Sequence, residues 1–154
     1  MKKVIRIVFG ISFIIYCLLL LYLLFFGSRA RIMSDLTLLE YIKSSSNFVP
    51  FKTIRSYFLV MFQGSMNAEI PIINLFGNVA AFLPMGIYLP FMINKLNNLG
   101  RFIMGMFVLL FFIETAKVVT RRGSFDVDDF ILNMFGALIG FAIWRLKVVQ
   151  KLIY

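Results

Sequence analysis

The sequence predicts an all-α membrane protein with four transmembrane helices and an outer-face amphipathic or re-entrant helix between the first two. Three observations carry that expectation. The chain is 61% hydrophobic and only 15% charged, against about half and about a quarter in ordinary globular domains. Its mean hydropathy is +0.92, which is more apolar surface than a soluble core can hide. The apolar residues also gather into four long runs separated by charged segments. At 154 residues, one domain covering 1–154 is expected.

Ile7–Phe26 is a run of 20 residues without a charge, enough to cross about 30 Å of hydrocarbon. Lys2, Lys3 and Arg6 precede it, and Ser28-Arg29-Ala30 offers small residues of the kind found at signal-peptide cleavage sites. The run is longer than the roughly 7–15 apolar residues of a signal peptide, so an uncleaved span over 7–26 is expected. The long segment 27–69 should not be structureless. Within it, Ile54, Tyr57, Phe58, Met61 and Phe62 repeat at helical spacing. A helix over 53–63 lying in the outer interface, or dipping into it, is expected. Leu36, Leu39 and Ile42 suggest a weaker helical piece before it.

The second span is expected over 70–93, with Pro71 where a helix start tolerates proline. Pro84 and Pro90 should kink it, and Gly86 permits close packing. The third covers 102–119 and contains Glu114 and Lys117. The fourth begins at Phe130, and its apolar part to Trp144 is only about 22 Å long as a helix. Arg145, Lys147 and Lys151 can snorkel and extend it to 149. Gly136 and Gly140 are spaced for helix packing.

Four spans put both termini on one side, and Lys/Arg density decides which. Segments 1–6, 94–101 and 145–154 hold eight Lys/Arg in 24 residues and no acid. Segments 27–69 and 120–129 hold seven in 53 residues, and every acid except Glu114. The termini are therefore expected inside. A net charge of +9 fits topology and anionic lipid headgroups rather than nucleic acid.

Histidine is absent and Cys17 is the single cysteine. Ser-His-Asp and Cys-His catalysis, histidine metal sites and a disulfide framework within the chain are thereby excluded. Chemistry must use carboxylates, Lys, Arg, Tyr, Ser or a borrowed ion.

The polar residues converge when placed by depth. Asn74 and Asn78 form one stripe with Gly77 and Ala81 in the outer half of the second span. Glu114, Lys117 and Arg121 share a face at the outer end of the third. Asp126, Asp129 and Asn133 share one at the start of the fourth, where negative charge suits the helix N-terminus. Ionisable groups within spans are costly and usually face a bundle interior or cavity. The bland readings are interhelical glue for the asparagines, a structural ion pair for Glu114, and helix capping for the aspartates. All lie at one membrane face, so a shared polar site is expected.

Asn47-Phe48-Val49-Pro50-Phe51, "NLFGNVAAFLPMGIYLP" from Asn74 to Pro90, Glu114, and "RRGSFDVDDFILNMFGALIG" from Arg121 to Gly140 resemble, in this order, the VanZ family of bacterial membrane proteins. The resemblance implies a multi-pass protein of the bacterial plasma membrane and a link to resistance against teicoplanin and related lipoglycopeptides. It carries over Asn47, Asn74, Asn78, Glu114, Arg121, Asp126, Asp128, Asp129 and Asn133 as motif residues. Family members commonly carry glutamine three residues after the glutamate, whereas this chain has Lys117.

The leading expectation is a non-enzymatic protein that binds a membrane lipid or lipid-linked cell-wall precursor at the outer face. Arg121 and Arg122 would hold the anion, because arginine forks suit phosphate. Lys117, Asn74, Asn78 and Asn133 would assist, and the acids would order the arginines. The alternative is a membrane enzyme acting on an envelope lipid or peptidoglycan precursor. Glu114 would then be the general base, and Asp126, Asp128 and Asp129 would be candidate ligands for a divalent cation. Absent histidine and the weak metal spacing count against it. A small oligomeric transporter is the third expectation, although no inverted repeat is visible.

Overall fold

The structure, a computed structural model, describes residues 2–27, 36–63 and 69–153. The candidate cleavage residues Ser28-Arg29-Ala30 lie outside them. Among the described residues seven α-helices occur in this order: α1 Lys2–Phe26, α2 Leu38–Ser45, α3 Lys52–Gln63, α4 Glu69–Met92, α5 Leu99–Val119, α6 Val127–Trp144 and α7 Lys147–Ile153. A 3-10 turn, Asn94–Asn97, joins α4 to α5. Among the described residues the extended pairing is one isolated bridge between Asn47 and Asp126. Helices α1, α4, α5 and α6 are long and apolar enough to cross a membrane. The chain is an all-α membrane protein with four such helices.

Two expected boundaries need correction. The fourth span does not start at Phe130 and run to 149. It begins at Val127, because the Asp126 side chain accepts the amide of Asp128 and caps the helix three residues earlier. It ends at Trp144, and Lys147 starts a separate helix. Its 18 residues therefore give about 27 Å. Arg121 is not on the face of the third span, because α5 stops at Val119.

Helices α4 and α6 make the tightest pair. Glycines permit it. A Cβ on Gly136 would strike the carbonyl of Val79, one on Gly140 that of Leu83, and one on Gly86 the backbone of Ala137 and Phe141. Phe82, Met85, Phe102, Met106, Leu110, Ala137 and Phe141 fill the core between α4, α5 and α6. Helix α1 adds Leu20 to that core and otherwise leans on α4. The Tyr16 hydroxyl donates to the Ala81 carbonyl at 2.6 Å, and the Tyr88 hydroxyl to Ser12 Oγ at 3.1 Å. Ala81 adjoins Ala80, whose carbonyl Pro84 leaves without its intrahelical donor. Exposed isoleucines, leucines and valines cover the rest of α1, as lipid contact requires.

Residues 36–63, between the first two spans, dock on the polar end of the bundle. The buried Tyr41 of α2 donates to the Gly123 carbonyl at 2.9 Å. Phe48 packs on Phe125 with ring centroids 5.3 Å apart. Asn47 and Asp126 exchange backbone bonds through Phe125 O and Val127 N, at 2.7 and 3.0 Å.

Candidate functional site

The aspartates that crowd one short segment of sequence separate into different roles. Asp128 is fully buried at 0% exposure. Its Oδ1 accepts the Phe51 amide at 2.5 Å, and its Oδ2 accepts those of Thr53 and Ile54 at 2.7 and 3.1 Å. It thus caps α3 from across the fold while sitting in the first turn of α6. Two helix N-termini favour the same negative charge. The backbone pays for this contact with a left-handed Phe51 at φ 63°.

Asp126 is likewise engaged. Oδ1 accepts Asn47 Nδ2 at 3.0 Å and the Asp128 amide at 2.9 Å, and Oδ2 accepts the Thr53 hydroxyl at 2.7 Å. Asn47 Nδ2 also lies 3.1 Å from Thr53 Oγ1. Asp126, Asp128 and Asn47 therefore fasten the connecting segment to the bundle. Thr53 was not singled out from the sequence. Its position at a helix start was the available signal.

Asp129 alone turns toward the spans. It accepts Asn78 Nδ2 at 2.6 Å and lies 3.7 Å from Lys117 Nζ. The three carboxylates thus diverge, and among the described residues no three acids gather as a metal-ligand group.

Lys117 is the centre of the network. Its Nζ lies 2.8 Å from Glu114 Oε1, with Glu114 fully buried and Lys117 only 7% exposed. The pair is one helical turn apart on α5, and Asp129 reaches it from α6. Beyond this ion pair, the Asp126 backbone amide faces the Glu114 carboxylate, whereas the buried Asn133 Oδ1 has no hydrogen-bond partner among the described residues. A buried acceptor left unpaired costs about 1–3 kcal/mol. The cluster is therefore more polar than packing requires.

Asn74, although buried, bonds to its own helix at the Ile70 carbonyl, 2.8 Å away. Its neighbour Asn78 is the one that reaches across to α6. The α5 end explains the arginines. The Arg121 and Arg122 amides bond to the Val118 and Lys117 carbonyls at 3.0 and 2.9 Å, and Arg121 is left-handed at φ 54°. This is the Schellman closure, in which glycine usually takes the left-handed position. A non-glycine residue there costs about 1 kcal/mol. Arg122 stacks over the Phe26 ring at 4.8 Å.

These pieces enclose a cavity of about 250 Å³. Leu20, Leu23 and Leu24 of α1 with Ile73 of α4 form an apolar wall. Asn78, Lys117, Arg122, Ser124 and Asp129 form the polar side. Arg121, Asn74 and Glu114 are not in the lining, and Glu114 acts on it only through Lys117. The sequence presents α1 as an anchor, whereas the structure makes it one wall of this cavity. Nothing in its uniformly apolar sequence marks the wall-forming leucines.

The fold and cavity define a four-span helical membrane protein with an amphipathic pocket at the polar end of its bundle. A family model described as VanZ/LLP1 matches residues 13–149, nearly the whole chain. The chain belongs to the VanZ-like family. Comparison with curated proteins and with solved structures gives no match.

Proposed function

We propose that this protein binds a lipid or lipid-linked cell-wall component at the outer face of the bacterial plasma membrane, and thereby confers or modulates resistance to teicoplanin-type lipoglycopeptides. The termini lie in the cytoplasm in this reading, and α3 rests in or dips into the outer interface. One observation carries it: a pocket with leucines on one wall and Lys117 and Arg122 on the other. An amphiphile needs that pairing, a chain beside apolar helix and a phosphate beside cations. Size narrows the ligand. About 250 Å³ is below the roughly 300–1,000 Å³ of drug-sized pockets, so a headgroup fits and a whole glycopeptide does not. Family membership supports the link to glycopeptide resistance.

The test compares the native chain with Asp129→Asn and Arg122→Gln. Both variants should fold, carry less co-purified lipid by mass spectrometry, and lower teicoplanin resistance in an expressing bacterium. Unchanged lipid content in both folded variants overturns the reading.

A further inference from the structure

A second cavity, of about 830 Å³, opens at the opposite end of the bundle, where α4 ends and α5 begins. We propose that it is a binding site for the phosphate headgroup of an anionic membrane phospholipid. Lys95, Arg101 and Arg145 line it, and among the described residues no carboxylate pairs with any of them. The segments at this end, 94–101 and 145–154, contain no acid at all. The positive charge is therefore uncompensated, unlike that of Lys117.

The site is also built. The Trp144 indole donates to Asn97 Oδ1 at 2.6 Å, and Arg145 Nη1 to the Asn97 carbonyl at 3.1 Å. Asn97 Nδ2 in turn holds the Pro90 carbonyl at 3.3 Å. These bonds fix the 3-10 turn and leave the remaining Arg145 donors for a ligand. Asn98 caps α5 through the Arg101 amide at 3.2 Å, so the positive end of a 21-residue helix adjoins the cavity. Leu138 and Phe141 form an apolar side. Three cations beside apolar side chains at the end of spanning helices match a lipid phosphate with its chains. A free phosphate would use the cations and leave the apolar side uncovered.

The single tryptophan, Trp144, reports on the site. The purified chain is reconstituted in phosphatidylcholine vesicles containing brominated phosphatidylglycerol or brominated phosphatidylcholine with the same chains. Brominated phosphatidylglycerol should quench Trp144 at lower mole fraction. Each lost cation should weaken that preference about five-fold, and Lys95→Gln with Arg101→Gln about 25-fold, from ~1 kcal/mol per charge. This pair leaves the Trp144–Asn97–Arg145 bonds intact, so its fold is preserved. Equal quenching by the two lipids, or a preference unchanged in the double variant, overturns the proposal. Relief of quenching by inorganic phosphate overturns the lipid assignment in favour of a soluble phosphate.

Discussion

Asp128→Asn separates the structural acids from the ligand-facing one. The native carboxylate accepts three backbone amides, one on Oδ1 and two on Oδ2. Bonds to charged groups contribute about 1.5–3 kcal/mol, against about 0.5–1.5 for neutral ones. An asparagine turned with its carbonyl at the Oδ2 position keeps two bonds but makes them neutral. Its amide then faces the Phe51 amide, donor against donor, and an orphaned donor costs about 1–3 kcal/mol. The opposite rotamer orphans two donors. Removing a buried charge returns part of its desolvation cost, so the net loss should be about 3 kcal/mol. Asp129→Asn is the control. Its lysine contact is long at 3.7 Å, and an asparagine carbonyl can keep the 2.6 Å bond from Asn78 Nδ2 in neutral form, so its loss should be about 1 kcal/mol. Unfolding in a mild detergent gives the stabilities, and hydrogen exchange reads the Thr53 and Ile54 amides directly. The Asp128 variant should release α3 first, with faster exchange there than in α6. If the two variants are equally stable and exchange at Thr53 and Ile54 is unchanged, Asp128 is not the cap of α3.

Three further outcomes follow from the geometry. Lys117→Met leaves the buried Glu114 carboxylate without its cation and should cost about 3–5 kcal/mol. The Glu114→Gln, Lys117→Gln double variant should recover most of it, and a double-mutant cycle without coupling would refute the pair. Gly140→Ala forces a Cβ into the Leu83 carbonyl. It should destabilise the α4–α6 pair by at least about 1–3 kcal/mol, while Gly10→Ala, which meets nothing within 4 Å in the interior of α1, should not destabilise the protein in the same unfolding assay. Thr37 Oγ1 and the Thr37 amide donate to Glu40 Oε2 at 2.7 and 2.9 Å, and the hydroxyl bond, then the amide bond, holds the Glu40 carboxyl below the usual carboxylate range. The capping box is therefore intact above that range and lost as pH falls through the depressed value. Thr37 amide shifts by NMR should follow that titration, and insensitivity to acid would refute the box.

The site was legible in part. Depth counting alone brings Asn78, Lys117 and Asp129 to one end of the bundle, and they do meet. It could not tell Asp128 from Asp129. Neighbours in sequence, they point about 100° apart around a helix, and only the fold decides what each one faces. Arg121 was misplaced for a related reason. Helical spacing assumes that the helix continues, and a Schellman turn with arginine in place of glycine gives no sequence signal for the stop.

Hydrophobicity decides the rest of the division. Four runs of apolar residues must each find hydrocarbon, and each must satisfy its backbone internally as helix. The number of spans, their helical state and the sharing of one end by the polar residues therefore follow from the sequence. Which carboxylate caps α3, which cation lines the cavity, and that leucines of α1 form its wall depend on contacts between distant segments. Apolar helix faces look alike to a lipid and to a neighbouring helix, so only tertiary packing distinguishes them.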